Sequence, residues 1–223
     1  MKNIFLVIMI LFISKINAQG FDKFINVTGT SELIVNADQM EIGINIKTIG
    51  ISIEDSKKVN DRSVSELSEI LKSGGIAISD IEISPLSLGK NYEYKQGERV
   101  QNGYFTNVNV SFLLKDLSKY YKLIDKISTN DFFEITNSSY KISEYETKMK
   151  SALEKALLAA KDKAFLMAQV LNVNLGSVLE IDETIFKDGP IPFNTMTKES
   201  FQEGGITGKV TITKSIRVKF AIM

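Results

Sequence analysis

Residues Ser143 to Leu171 (SEYETKMKSALEKALLAAKDKAFLMAQVL) constrain the fold more than any other stretch. Met149, Leu153, Ala156, Ala160, Ala164, Met167 and Leu171 recur at steps of three or four, so a helix would gather them on one face. Lys150, Glu154, Lys155, Lys161, Asp162 and Lys163 fall mostly on the other. Ser143 followed by Glu146 has the form of a capping box, in which hydroxyl and carboxylate satisfy the first free N–H groups. A helix of this span is roughly 43 Å long, close to the diameter of a compact domain of this size. It therefore crosses the whole body. Its alanine-rich face predicts close approach to a covering layer, and a β-sheet is expected there.

The chain has 223 residues and equal numbers of basic and acidic side chains, 27 of each. That balance lacks the electrostatic footprint of a general nucleic-acid binder, so no nucleic-acid partner is expected. His, Cys and Trp are absent. No Ser-His-Asp triad, cysteine nucleophile, or thiolate or imidazole metal site can be built without them. No catalytic, cofactor-binding or metal-binding residue is assigned, and carboxylates are left as the groups to weigh.

The N-terminus predicts a compartment. Lys2, the apolar run Ile4–Ile13 and the polar stretch Ser14–Ala18 have the order of a signal peptide. An apolar run of this length is too short to span a bilayer as a helix, which argues against the rival reading of a retained anchor. No cysteine follows it for lipid attachment. Cleavage is expected after Ala18, giving a periplasmic or secreted chain with no transmembrane segment. That chain carries 25 basic and 27 acidic residues.

Phe24–Gly29 reads as a short first strand. Met40, Ile42, Ile44 and Ile46 alternate with polar residues as in a half-buried strand. Ser52 and Asp55 open a helix whose expected buried stripe is Val59, Ser63, Leu67, Ile70 and Leu71, and Gly74-Gly75 ends it. Ile76–Tyr94 is extended, with a bend or bulge before or at Pro85. It pairs with Tyr104–Leu114 in a long hairpin, across a polar loop from Lys95 to Gly103. Asp116 caps a second helix, with Leu117, Tyr120, Tyr121, Ile124 and Ile127 inward. Phe132–Ile142 is extended before the long helix. Val178–Ile185 is a strand, residues 186–209 form a flexible loop, and Val210–Ile222 alternates as a final strand. This order predicts an α+β fold: a mixed, mainly antiparallel sheet packed with three helices. Residues 19–223 are expected to form a single domain. The strand–helix–strand order leaves room for two βαβ-type subdomains, without a sequence repeat to support duplication.

Only carboxylates offer strong acid–base groups. Asp80 with Glu82, and Glu180 with Asp182 and Glu183, are the close sets, suited in principle to glycoside hydrolysis or to a hard cation. Glu180 and Asp182 alternate with Leu179 and Ile181, which favours a solvated strand face. The glycine pairs lack the pattern of a phosphate loop. Tyr92, Tyr94, Tyr104 and Phe105 cluster near the hairpin tip. They form either a partner-binding surface or cross-strand packing within the hairpin.

Four ordered blocks resemble the SIMPL-domain family. Ala152–Glu183 is similar to its helix-to-strand segment, and Ile25–Ile46 to its opening. Ala37 stands where the family usually has proline before an aspartate. Gly75–Tyr94 with Gly103–Asp125 resembles its hairpin and second helix, and ITGKVTITKSIRVKFAIM its last strand. Ser128–Asp131 departs from the family's usual glycine. The resemblance implies a secreted periplasmic or envelope-associated bacterial protein. It also implies links to stress tolerance and ring- or channel-like homo-oligomers, and no catalytic residues to carry over. The favoured expectation is a non-enzymatic, self-assembling envelope scaffold with peripheral envelope association. The alternative is a monomeric ligand- or peptide-binding module, with 186–209 as a lid.

Overall fold

The computed structural model describes residues 23–183, 191–193 and 207–223. The expected signal peptide and most of the expected loop lie outside them. The chain is α+β. Its elements are β1 (Phe24–Asn36), β2 (Gln39–Gly50), α1 (Ile53–Ser73), β3 (Ile81–Ile83), β4 (Ser87–Lys95), β5 (Glu98–Leu114), α2 (Tyr120–Ile127), β6 (Phe133–Lys141), α3 (Tyr145–Val170), β7 (Leu175–Glu183), β8 (Ile191–Phe193) and β9 (Lys209–Ile222). β8 is an addition within the segment expected to be loop, and β1 runs seven residues past Gly29, where the first strand was expected to end.

The residues divide into two units, and β1, α3 and β9 each contribute to both. The larger comprises Ser31–Lys155 and Ile185–Lys214. Its five-stranded sheet runs β3-β5-β2-β6, with β4 also paired to β5. The β2–β5, β2–β6, β3–β5 and β4–β5 pairings are all antiparallel. Strict alternation puts Ile42, Ile44 and Ile46 of β2 and Val108, Val110, Phe112 and Leu114 of β5 into the core. Leu67 and Leu71 of α1 join them, as do Leu123 and Ile127 of α2. Tyr121, expected inward, is exposed.

Helix α1 begins as its sequence predicts. The Ser52 hydroxyl accepts from the Asp55 N–H at 3.1 Å, and Glu54 and Asp55 suit the positive end. Its buried stripe differs from expectation. Ser56, Asn60, Ser63, Leu67 and Leu71 face inward, while Val59 is exposed and Ile70 is half-buried. The sheet under its first two turns presents hydroxyls instead of methyls. Thr48, Ser56 and Thr106 form a buried ring of hydroxyl contacts at 2.8–3.3 Å. Asn60 donates to the Ile46 carbonyl at 2.9 Å.

Helix α3 starts differently from a capping box. The Ser143 N–H and hydroxyl both donate to the Asp38 carboxylate. The aspartate of the β1–β2 turn thus holds the entry to a helix 105 residues away. Asn130 shapes the α2–β6 turn. Its side-chain oxygen accepts from the Phe132 N–H at 2.9 Å, and its amide donates to Glu66 at 2.9 Å.

The smaller unit comprises Met1–Thr30, Ala156–Thr184 and Ser215–Met223. β9 is the central strand of the order β1-β9-β7, and β8 pairs with its early residues. Ala156, Ala160, Ala164 and Ala168 of α3 are buried at a strict spacing of four. Gly29 explains the need for alanine: a Cβ there would lie 2.1 Å from the Ala156 carbonyl oxygen and 2.7 Å from the Ala160 methyl. Met167 and Leu171, expected on the buried face, are exposed because the stripe continues through Ala168.

Candidate functional site

The hairpin β4–β5 carries the aromatic candidates. The segment expected to be a polar loop from Lys95 to Gly103 is almost entirely strand. Only Gln96 and Gly97 make the turn, with φ of +54° and +88°. Two left-handed residues give a tight hairpin whose twist matches that of its strands. The run EYKQGERVQNG concealed it, because its polarity is that of a ribbon exposed on both faces.

β2 pairs with β5 as far as Gly50↔Tyr104. Beyond that rung, among the described residues, β4 and β5 pair only with one another, through Tyr92↔Gln101, Glu93↔Val100, Tyr94↔Arg99 and Lys95↔Glu98. The departure point is marked by glycine. Gly103 has φ +114°, and a Cβ on it would sit 2.4 Å from the Gly50 carbonyl oxygen. The register shifts between Lys90 and Tyr92, so a bulge at this point opens the free ribbon.

The four aromatic candidates do not form one patch. Register and alternation place Tyr92, Tyr94 and Tyr104 on one face, with Phe105 on the other. Phe105 belongs to the sheet. It lies over Gly89, where a Cβ would stand 3.0 Å from its ring, and Lys47 Nζ is 5.4 Å from its centroid. Tyr94 is 78% exposed and Tyr92 is 40% exposed. The Arg99 guanidinium sits 3.9 Å from the Tyr92 ring centroid, a stacked cation–π contact that the sequence reading missed. Its signal is cross-strand: with a two-residue turn, Arg99 falls opposite Tyr94 and diagonal to Tyr92. The opposite edge is held by polar contacts. Asn91 donates to Asn102, and Lys95 pairs with Glu93 at 2.5 Å. The hydrogen bond from Lys95 holds the Glu93 carboxyl below the ordinary carboxylate range.

The carboxylate sets are tied to cations or lie along strand faces. Asp80 accepts from Lys115 at 2.8 Å, and Glu82 stands opposite Ser111. Both line a polar cavity of about 310 Å³ with Glu41 and Lys141, which pair at 2.9 Å. Glu180 stands opposite Lys219, and Arg217 approaches Asp182 at 3.8 Å. The described residues contain no cluster of three or more acidic side chains arranged to hold a metal ion.

A family model described as "SIMPL: Protein of unknown function (DUF541)" matches residues 25–220. The chain belongs to the SIMPL family. The match takes in every described element except the two ends of the sheet-forming strands β1 and β9, and includes the whole ribbon. The chain is also similar to "Uncharacterized protein YggE" of Escherichia coli strain K12, E. coli O157:H7 and Shigella flexneri. Each is 24% identical over 171 residues, covering 77% of this chain and 70% of the relative. None of these names states an activity.

The smaller unit of this SIMPL chain also exposes several large apolar side chains that the sequence reading missed. Phe165, Leu166 and Val170 of α3 and Val178, Leu179 and Ile181 of β7 are each about half exposed or more. No described helix is long and apolar enough to cross a membrane.

Proposed function

We propose that this SIMPL protein is non-enzymatic and works in the periplasm or outside the cell by self-assembly, using the β4–β5 ribbon as a contact surface. A signal peptide ending at Ala18 would deliver it there. The observation that carries this reading is the ribbon itself: beyond Gly50↔Tyr104 it has no strand partner among the described residues other than its own mate, yet it presents Tyr92, Tyr94 and Arg99. A two-stranded hairpin is marginal in water by itself. Tyrosine and arginine are the residue types that dominate protein contacts, because each joins a large flat surface to a polar end. The stacked Arg99 and Tyr92 arrive preorganised, which lowers the entropy lost on docking.

Light scattering on the chain from Gln19 onward, with its Tyr92→Ser/Tyr94→Ser variant beside it, tests the reading. The expected result is a discrete oligomer that the double substitution shifts to smaller mass without changing the circular dichroism spectrum. A concentration-independent monomer, or an oligomer indifferent to both changes, would defeat it.

A further inference from the structure

The larger unit holds a cationic recess at the end of α1, remote in sequence from the ribbon. Ser73, Gly74, Gly75, Lys119, Lys122, Leu123 and Lys126 line a cavity of about 220 Å³. Three ammonium groups on one short stretch would ordinarily be explained as partners for the free carbonyls at a helix C-terminus. Here that explanation is taken up by the backbone. The Gly74 N–H donates to Ile70 and Leu71, the Gly75 N–H to Lys72, and the Ile76 N–H to Leu71, all at 2.9–3.1 Å. The Ile70, Leu71 and Lys72 carbonyls are thus satisfied without the lysines.

Nearby acids do not neutralise the recess either. Lys119 approaches Asp116 at 3.8 Å, and among the described residues no ion pair involves Lys122 or Lys126. Lys126 instead donates to the Ser73 hydroxyl at 3.2 Å. The floor is kept open by two missing side chains. A Cβ at Gly74 would meet the Leu123 methyl at 3.1 Å, and one at Gly75 would meet Lys119 Nζ at 3.1 Å. The helix end contributes about half a negative charge, which three full positive charges outweigh.

We propose that this recess binds a phosphate group, with Lys119, Lys122 and Lys126 supplying charge-assisted hydrogen bonds. The Ser73 hydroxyl, whose own proton is committed to the Ile70 carbonyl at 2.9 Å, orients Lys126. This is not a phosphate loop: the glycine N–H groups are already bound, and the attraction comes from side-chain charge. The site is open to water, so binding is weak and falls steeply with salt. A free phosphate and the headgroup of an anionic lipid offer the same chemistry. The assembly reading is independent of this proposal, which rests on other residues.

The test uses the chain from Gln19 onward. Inorganic phosphate is titrated at low ionic strength while the Gly74 and Gly75 amide resonances are followed, and vesicles of phosphatidylcholine with and without phosphatidylglycerol are co-sedimented. The expected result is saturable movement of both glycine signals, with at least tenfold weaker binding in Lys122→Gln/Lys126→Gln. The control Lys57→Gln/Lys58→Gln, on exposed turns of α1, should bind as the parent does. Sedimentation that requires phosphatidylglycerol and the same two lysines would assign the phosphate to a lipid; phosphate binding without it would assign a soluble ligand. Glycine shifts that are absent, non-saturable, or equal in the lysine variant and the parent overturn the proposal.

Discussion

Helices α1 and α3 both meet β-structure through narrow stripes of small residues, but the two contacts are built on opposite principles. α3 offers methyls: Ala152, Ala156, Ala160, Ala164 and Ala168 are at most 2% exposed. α1 offers hydroxyls and an amide over its first half, Ser56, Asn60 and Ser63, and changes to leucine only at Leu67 and Leu71. The alanine stripe gains stability through dispersion at close range and tolerates little change in volume. The polar stripe gains position. Its hydrogen bonds have direction, so one rotation of α1 on the sheet satisfies them and the others do not. It is also incomplete, since Asn60 Oδ1 is buried with no partner.

The largest effect should come from closing the gap under α3. Gly29→Val places a side chain where even a Cβ is 2.1 Å from Ala156 O. A loss above roughly 3 kcal/mol in chemical denaturation is expected, beyond the usual range for overpacking because the obstacle is backbone. Next is Leu67→Ala in the apolar half of α1, expected to cost about 2–5 kcal/mol. The polar half should respond less and in a revealing way. Thr106→Val removes one contact from each of the Thr48 and Ser56 hydroxyls, which keep the Ser56 and Thr48 carbonyls as acceptors, and should cost about 1 kcal/mol. Removing all three hydroxyls together, in Thr48→Val/Ser56→Ala/Thr106→Val, should cost less than the sum of the three single changes, since their mutual contacts are then lost only once. If the triple variant instead loses the sum of the three, the ring does not act as a unit. The smallest effect is reserved for the outer side of α3, where Leu166→Ser should leave stability within about 0.5 kcal/mol.

Tyr140 supplies a pH counterpart to Gly29. It lies against Gly208, where a Cβ would be 2.4 Å from its ring, and its burial raises its phenol above the ordinary value of 10.0. In the unfolded chain the phenol ionises first. The stability linked to this shift is therefore complete below pH 10 and is lost as pH rises through the higher folded value. Absorbance titration should show one tyrosine ionising after the exposed ones, and Tyr140→Phe should remove that late step. Simultaneous ionisation of all tyrosines would contradict it.

Much of this architecture was legible because period and chemistry agreed. β2 alternates without interruption, the alanines of α3 recur, and Gly74-Gly75 ends α1 with Gly75 at φ +82°. The failures occurred where chemistry pointed away from burial. Asn60 looks like a solvent residue beside Val59, and only the Ile46 and Thr106 carbonyls it donates to reverse that order. Met167 and Leu171 look like core residues, but the buried stripe runs through Ala164 and Ala168 instead. At the hairpin, the tyrosines were visible in the sequence. Their separation from Phe105 was not, since it depends on strand faces and on the bulge before Tyr92.

The position of β9 between β1 and β7 has a consequence for the order of events during synthesis. β1 is completed at Asn36, but its neighbour in the sheet begins only at Lys209. At ribosomal rates the wait is roughly 10–35 s. Throughout that interval this thirteen-residue strand has no mate in its sheet among the described strands. The nascent chain must carry an open edge until its last strand emerges, and the sheet closes late, in a step that joins the beginning of the protein to its end.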